Sequence, residues 1–215
     1  MIVTIDGPAG AGKSSAAREL ARRLGFRFLD TGAMYRVVTL AAKERGLDLT
    51  NANRLAQLVG EIRVDLDGDR VLLDGRDVTK EIRTFDITTS IQYAADNPAV
   101  REQLVTWQRA AADGRNVVTE GRDQGTVVFP HAECKIFLTA DEDERAHRRY
   151  RDLVARGEHV TFDEVLDTQH IRDERDRTRS VGALVIAPDA IEVSTNGLSP
   201  AEVVARLESI VHSKQ

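Results

Sequence analysis

The stretch Gly7-Pro8-Ala9-Gly10-Ala11-Gly12-Lys13-Ser14 constrains this chain more than any other. It fits G-x-x-x-x-G-K-[ST], the phosphate-binding loop, and its surroundings fit as well. Ile2-Val3-Thr4-Ile5 before it is a short β-branched run that reads as a buried strand. After it, Ala16, Ala17, Leu20, Ala21 and Leu24 recur at helical spacing, and Gly25 stands where a C-cap belongs. Strand, glycine loop and helix is the order the motif requires. Its glycines let the backbone turn several N–H groups toward one anion, and the helix N-terminus adds its dipole. Lys13 supplies a point charge for the β- and γ-phosphates of a bound nucleotide, Ser14 a hydroxyl for Mg²⁺, and Ser15 continues the loop into the helix. A glycine-rich turn with a chance lysine is the bland alternative; the strand and helix around the motif weigh against it.

The 215 residues allow one domain with a sizeable core and an inserted lobe. Hydrophobic residues at 41% and charged residues at 30% suit a folded globular chain. A formal net charge of −5 gives little support to a general nucleic-acid-binding role. The single cysteine, Cys134, precludes an intramolecular disulfide and reads as a core residue. No apolar run approaches the ~20 residues of a membrane span. The chain opens directly on its first strand, so no signal peptide, a cytoplasmic compartment and no membrane partner are expected.

Phe26-Arg27-Phe28-Leu29 reads as a second strand, ending in Asp30-Thr31-Gly32-Ala33-Met34-Tyr35-Arg36. Polar groups just past the carboxyl end of a strand are where open α/β sheets bind ligands. Then the pattern changes. Ile62-Arg63-Val64-Asp65-Leu66, Arg70-Val71-Leu72-Leu73 and Arg76-Asp77-Val78 are separated by Asp67-Gly68 and Asp74-Gly75. Two Asp-Gly turns predict a three-stranded antiparallel meander, foreign to a βαβ series and so an inserted lobe. A helix follows, capped by Asn97 with Pro98 in its first turn, and Arg101 sits near its start.

The parallel pattern resumes at Asn116-Val117-Val118-Thr119, a strand that delivers Glu120-Gly121-Arg122-Asp123-Gln124-Gly125-Thr126. An arginine and two carboxylates in a glycine-flanked turn after a strand is a ligand-site pattern, with a plain polar turn as the alternative. Lys135-Ile136-Phe137-Leu138 is a further strand, and the helix after it carries Arg145, Arg148 and Arg149 on one face. Thr161 and Glu164 form a capping box for the next helix, where Arg172, Arg175, Asp176 and Arg179 form one stripe. Three arginines with one acid suit polyphosphate better than a neutral solvated face, although Asp173 and Glu174 stand close by. Ala190-Ile191-Glu192-Val193 is a last strand, and Ser199-Pro200-Ala201-Glu202 caps a final amphipathic helix. The fold class is α/β: a P-loop NTPase fold with a parallel sheet flanked by helices, an inserted antiparallel meander lobe and a helical lid. One kinase domain, 1–215, is expected. Its core is 1–35, 106–144 and 180–215, the inserted lobe that would cover a second substrate about 36–105, and its lid with the arginine helices about 145–179.

The sequence resembles the bacterial cytidylate kinases, within the nucleoside monophosphate kinases, over essentially its whole length. The resemblance rests on Ile5-Asp6-Gly7-Pro8 through Ser14, on residues 30–36, on Gly121-Arg122-Asp123-Gln124-Gly125-Thr126-Val127-Val128-Phe129-Pro130, on Glu144-Arg145-Ala146-His147-Arg148-Arg149, and on residues 172–179. It implies transfer of the ATP γ-phosphoryl group to CMP or dCMP, in pyrimidine nucleotide metabolism. It also implies that Lys13, Arg36, Arg122 and Arg179 serve the transfer. Arg36, Arg122 and Arg179 hold the acceptor phosphate with Tyr35 and Thr31 beside it, and Arg101 and Asp123 read the cytosine edge. Asp176 with Arg172 binds the ribose, and Arg148 and Arg149 lie on the lid over ATP. Gln92 stands where the family usually has a base-contacting serine, Thr31 where serine is common and Glu120 where aspartate is common. A monomer acting on small nucleotides is expected. Another monophosphate kinase, such as one for UMP, is the nearest alternative. A non-catalytic GTP switch would need an N-K-x-D guanine reader, which the sequence lacks.

Overall fold

Ile2–Asp6 (β1) is buried along nearly its whole length, with no alternation between faces. That is the pattern of a strand covered on both sides by helices. In the computed structural model, which describes residues 1–68, 70–155 and 157–215, β1 lies in the middle of a five-stranded sheet. With Arg27–Asp30 (β2), Val117–Gly121 (β6), Cys134–Thr139 (β7) and Ile191–Ser194 (β8), the order is β2-β6-β1-β7-β8. β1 runs parallel to β6 and β7, and β7 parallel to β8. The chain leaves β1 toward one edge and later returns to the other side of it. The carboxyl ends of β1, β6 and β7 therefore flank a topological switch point, where such sheets bind ligands.

Contacts divide the chain into two units, Met1–Phe28 with Arg115–Gln215, and Leu29–Gly114. In the first, Lys13–Leu24 (α1) and Pro200–His212 (α9) bury Ala17, Leu20, Val204, Leu207 and Val211 in one cluster with Val3, Ile5, Ile136 and Leu138. Gly25 closes α1 at φ 68°, its N–H donating to the carbonyls of Ala21 and Arg22. Glu142–Ala155 (α7) and Phe162–Thr178 (α8) pack together, with the His147 and Phe162 rings stacked at 4.3 Å. Both predicted capping boxes form, Thr161 with Glu164 and Ser199 with Glu202.

The second unit has its own core. Thr31–Glu44 (α2) contributes Met34, Val37, Val38 and Ala41; Ala52–Glu61 (α3) contributes Leu55 and Leu58. The meander Val64–Asp67 (β3), Arg70–Leu73 (β4) and Arg76–Asp77 (β5) is antiparallel, as its Asp-Gly turns predict. Asp74 at φ 51° and Gly75 at φ 85° make the turn from β4 to β5, with both central residues left-handed as a two-residue hairpin requires. Phe85–Ser90 (α4) and Gln92–Ala95 (α5) lead to Pro98–Ala112 (α6), capped by Asn97, which accepts from the N–H groups of Ala99 and Val100. Glu81–Arg83 forms a short 3-10 turn before α4. Leu29–Gly114 holds α2 and α6 with the meander because their apolar faces share one cluster.

Candidate active site

Gly7, Gly10 and Gly12 all have positive φ, at 148°, 79° and 87°. At Gly7 a Cβ would stand 2.1 Å from the Leu138 carbonyl oxygen of β7, so no side chain fits there. The loop wraps onto the start of α1, whose first turn contains no acidic residue to compete with an anion for the helix dipole. Lys13 is buried, and its Nζ donates to the Pro8 carbonyl at 2.8 Å, inside the curve of the loop. Ser14 Oγ donates to Glu120 Oε1 at 3.0 Å. Burial first, and then the positive charge of Arg122, push the Lys13 ammonium down to about 7, against the opposing pull of Glu120.

Past the end of β6 the chain makes a wide turn. The Asp123 carbonyl accepts from Val127 N at 2.9 Å and Val128 N at 3.1 Å, and Gln124–Val128 is one turn of π-helix. Such turns often mark functional sites. The turn is fastened from inside. Asp6, at the end of β1, accepts from Gln124 N at 2.9 Å and from Gly125 N at 2.8 Å, one bond to each carboxylate oxygen. Thr119 Oγ1 donates to Gln124 Oε1 at 2.8 Å. Burial raises the Asp6 carboxyl to about 6, outweighing the two backbone donors.

The arginine stripe of α8 meets this turn. Arg122 Nε donates to Asp176 Oδ2 at 2.6 Å, and Arg179 Nη2 donates to Asp176 Oδ1 at 2.8 Å. Asp176 thus orients two arginines at once; sequence reasoning saw it only as a ribose ligand. Each of its oxygens has a second lone pair and can still accept a hydroxyl. Burial opposes the charge on both partners. On Asp176 the three arginines 122, 172 and 179 win and lower its pKa, and on Arg122 the carboxylates win and raise it.

Two residues that the sequence placed by spacing alone, Arg145 and Asp173, prove to be partners at the glycine loop. Arg145, buried on α7, donates from Nε to the Ala140 carbonyl at 3.0 Å and from Nη1 to the Ala9 carbonyl of the glycine loop at 2.9 Å. The same Nη1 lies 2.6 Å from Oδ2 of Asp173, which is 2% exposed rather than part of a solvated charge run. Gly10 leaves room for this packing, because a Cβ there would touch the Arg145 Cβ at 3.0 Å. Helical spacing showed Arg145 on a face with Arg148, but not that the face meets the loop. Arg148 donates to Glu144 Oε1, to Thr195 Oγ1 and to the Thr195 carbonyl. Thr195 Oγ1 in turn reaches the Ala11 carbonyl at 3.4 Å, so Arg148 braces the loop from behind. Arg149 sits half-buried on the same helix.

The remaining predicted residues belong to the second unit. Asp30 caps α2 by accepting from Ala33 N at 2.9 Å, which sets Thr31, Tyr35 and Arg36 in its first turns. Arg101 is buried on α6 while its neighbour Glu102 is exposed, a choice the sequence left open. Its guanidinium lies over the Tyr35 ring, 5.6 Å from the centroid, and Nη1 donates to the Ala95 carbonyl at 3.2 Å.

Residues 3–213 match the family described as cytidylate kinase. The chain belongs to the cytidylate kinase family. It is 52% identical over 203 residues to a cytidylate kinase of Rhodopirellula baltica, covering 94% of this chain and 89% of that one. A cytidylate kinase of Mycobacterium leprae is 47% identical over 215 residues, with 100% and 96% covered. A crystal structure of shikimate kinase from Bacteroides thetaiotaomicron shares the fold, with a TM-score of 0.53, 15% identity and coverage of 99% and 98%. The protein is an ATP-dependent kinase that phosphorylates CMP or dCMP, giving CDP or dCDP. No helix among the described residues is long and apolar enough to cross a membrane.

For a cytidylate kinase with its loop lysine near 7, donor binding is linked to protonation. If triphosphate oxygens are received beside Lys13, its affinity for the proton is expected to recover, so the expected result is proton uptake on ATP binding at alkaline pH. The uptake should be a substantial fraction of a proton per ATP above the lowered lysine pKa and should disappear at acidic pH, where Lys13 is already charged. Calorimetric titration in buffers of different ionisation enthalpy measures it directly. The uptake should vanish in Lys13→Met; equal enthalpies in all buffers for the unaltered protein would refute the linkage.

Proposed function

We propose that Lys13, Arg122 and Arg179 form the phosphoryl-transfer centre of this CMP and dCMP kinase, with Arg36 and Arg172 completing the hold on the acceptor. The observation that carries this reading is the buried Arg122–Asp176–Arg179 cluster, together with the repulsion of Lys13 by Arg122 and Arg172. Cations are assembled there at a cost in desolvation that an uncharged ligand would not repay. The glycine-loop N–H groups and Lys13 receive the β- and γ-phosphates of ATP, residues Gly7 to Ser15 forming that cradle. An oxygen of the acceptor monophosphate, whose second pKa is about 6, is already anionic at neutral pH. It needs no general base. The oxygen attacks the γ-phosphorus in line, the bond to the ADP oxygen breaks, and the arginines neutralise charge on the transferring group.

Asp123 accepts from the exocyclic amine of cytosine, and Arg101 donates to its ring acceptors. Tyr35 and Thr31 line the acceptor's phosphate and sugar, and the second lone pairs of Asp176 serve the ribose hydroxyls. Arg148 and Arg149 serve the donor side, Arg148 through its hold on Thr195. The hydroxyl of Ser14 with the Glu120 carboxylate beside it is a set of hard oxygen donors that suits Mg²⁺. Bound there, the ion would supply charge neutralisation at the β- and γ-phosphates. Every residue assigned here belongs to one chain, so a monomer suffices, and the nucleotide substrates point to the cytoplasm. A coupled assay of CMP, dCMP, UMP and AMP with ATP tests the reading. CMP or dCMP should exceed the others by at least about tenfold in kcat/KM, the effect of one mismatched buried hydrogen bond. Equal use of UMP would refute the base-reading role of Asp123.

A further inference from the structure

Asp6, to which no phosphate is assigned above, is a carboxylate 4% exposed at the carboxyl end of the central strand. Its two oxygens accept from Gln124 N and Gly125 N, across 118 and 119 residues of chain. Those are the amides directly after Arg122 and Asp123. One residue after Asp6, the chain becomes the glycine loop. We propose that Asp6 is a positioning residue for the acceptor: it ties the Arg122–Asp123 turn to the strand that carries the donor loop, and so fixes the distance between the two phosphate cradles. The inference rests on the assignment of Arg122 and Asp123 to the acceptor.

The geometry favours a tie over simple packing. A carboxylate can accept at both oxygens, whereas the isosteric amide presents its own N–H groups to one of the two backbone donors. The Asn variant therefore keeps the volume and breaks one clamp. Neighbouring contacts leave no alternative anchor at Gly125. A Cβ there would stand 3.0 Å from Thr4 Oγ1, 3.3 Å from Lys135 Cδ and 3.4 Å from Asp6 Oδ2. Gly125 has no positive φ, so Gly125→Ala does not strain the backbone torsions, and its Cβ crowds Thr4 Oγ1 and Lys135 Cδ, shifting the turn by a few tenths of an ångström where Asp6 holds it. Lys13 and Asp123 also face Asp6 electrostatically, while the Lys135 ammonium is turned away to the Pro130 carbonyl and Asp189.

The test compares donor and acceptor in the full chain. Asp6→Asn should raise KM for CMP or lower kcat so that kcat/KM for CMP falls about 10²-fold, as misplacement by about 1 Å does. ATP affinity, titrated calorimetrically without acceptor, should stay within about threefold of the unaltered protein. Gly125→Ala should show the same split, and decides the matter if Asp6→Asn does not fold. Parallel losses for ATP and CMP, or an unchanged kcat/KM for CMP, would overturn the proposal. Asp123→Ala runs alongside. If it leaves CMP use intact, the acceptor assignment itself fails; if it impairs CMP use while Asp6→Asn does not, only the positioning role of Asp6 fails.

Discussion

Replacing Arg122 by alanine is expected to lower kcat by about 10³-fold or more, while ATP affinity changes by only a few-fold. The guanidinium is held by Asp176 at 2.6 Å and by the Gly121 carbonyl at 3.2 Å, so it is fixed before any ligand arrives. A cation already in place costs no reorganisation when charge develops on the transferring phosphoryl group. Its remaining N–H donors form a planar fork that matches two phosphate oxygens. Arg122→Lys keeps the charge but not the fork or the orientation by Asp176, so it should rescue only a small part of the rate. Breaking a buried ion pair usually destabilises strongly. Here Asp176 retains Arg179, which limits the loss. Steady-state kinetics, read beside melting curves of the same variants, separate the two effects. A folded Arg122→Ala enzyme with undiminished kcat would assign this arginine to the scaffold alone.

The second large effect concerns the base. Asp123→Ala is expected to lower kcat/KM for CMP by about ten- to a hundredfold while UMP use holds or rises, erasing the preference between them. An ionised carboxylate only accepts, so it satisfies the cytosine amine and opposes the uracil carbonyl. The turn itself should survive the substitution, because it is the main-chain carbonyl of Asp123 that Val127 and Val128 bond, and because Asp6 holds the next two amides. Asp123→Asn, free to present its amine, should favour UMP relative to the alanine variant. The comparison needs only the four acceptors at subsaturating concentration. Equal losses for every acceptor would mean that Asp123 shapes the site without reading the base.

Much of the fold is written in contiguous stretches. The glycine loop between a β-branched run and an amphipathic helix, the Asp74-Gly75 turn of the antiparallel meander, and the capping boxes at Thr161 and Ser199 all form as local chemistry predicts. Each depends on residues within one or two turns of one another, so spacing is sufficient to read them. The family and its reaction are likewise legible, because the runs at residues 121–130 and 172–179 are specific in order as well as in composition. The compact unit Leu29–Gly114 is different. Its extent follows from which apolar faces share a core, and α2 and α6 join that core from outside the meander.

What the sequence by itself determined was the kind of chemistry: a phosphate loop, a polar glycine-flanked turn after a strand and a stripe of arginines, each identified by neighbours along the chain. What only the tertiary structure decided was how these are fastened. The bonds from Asp6 to the turn, from Arg145 to the Ala9 carbonyl and from Arg122 to Asp176 join residues 118, 136 and 54 positions apart. Periodicity carries no information at such separations, since any of many polar residues could meet any other. The choice is made by burial, which leaves a polar group in the interior only where a partner from elsewhere in the chain satisfies it.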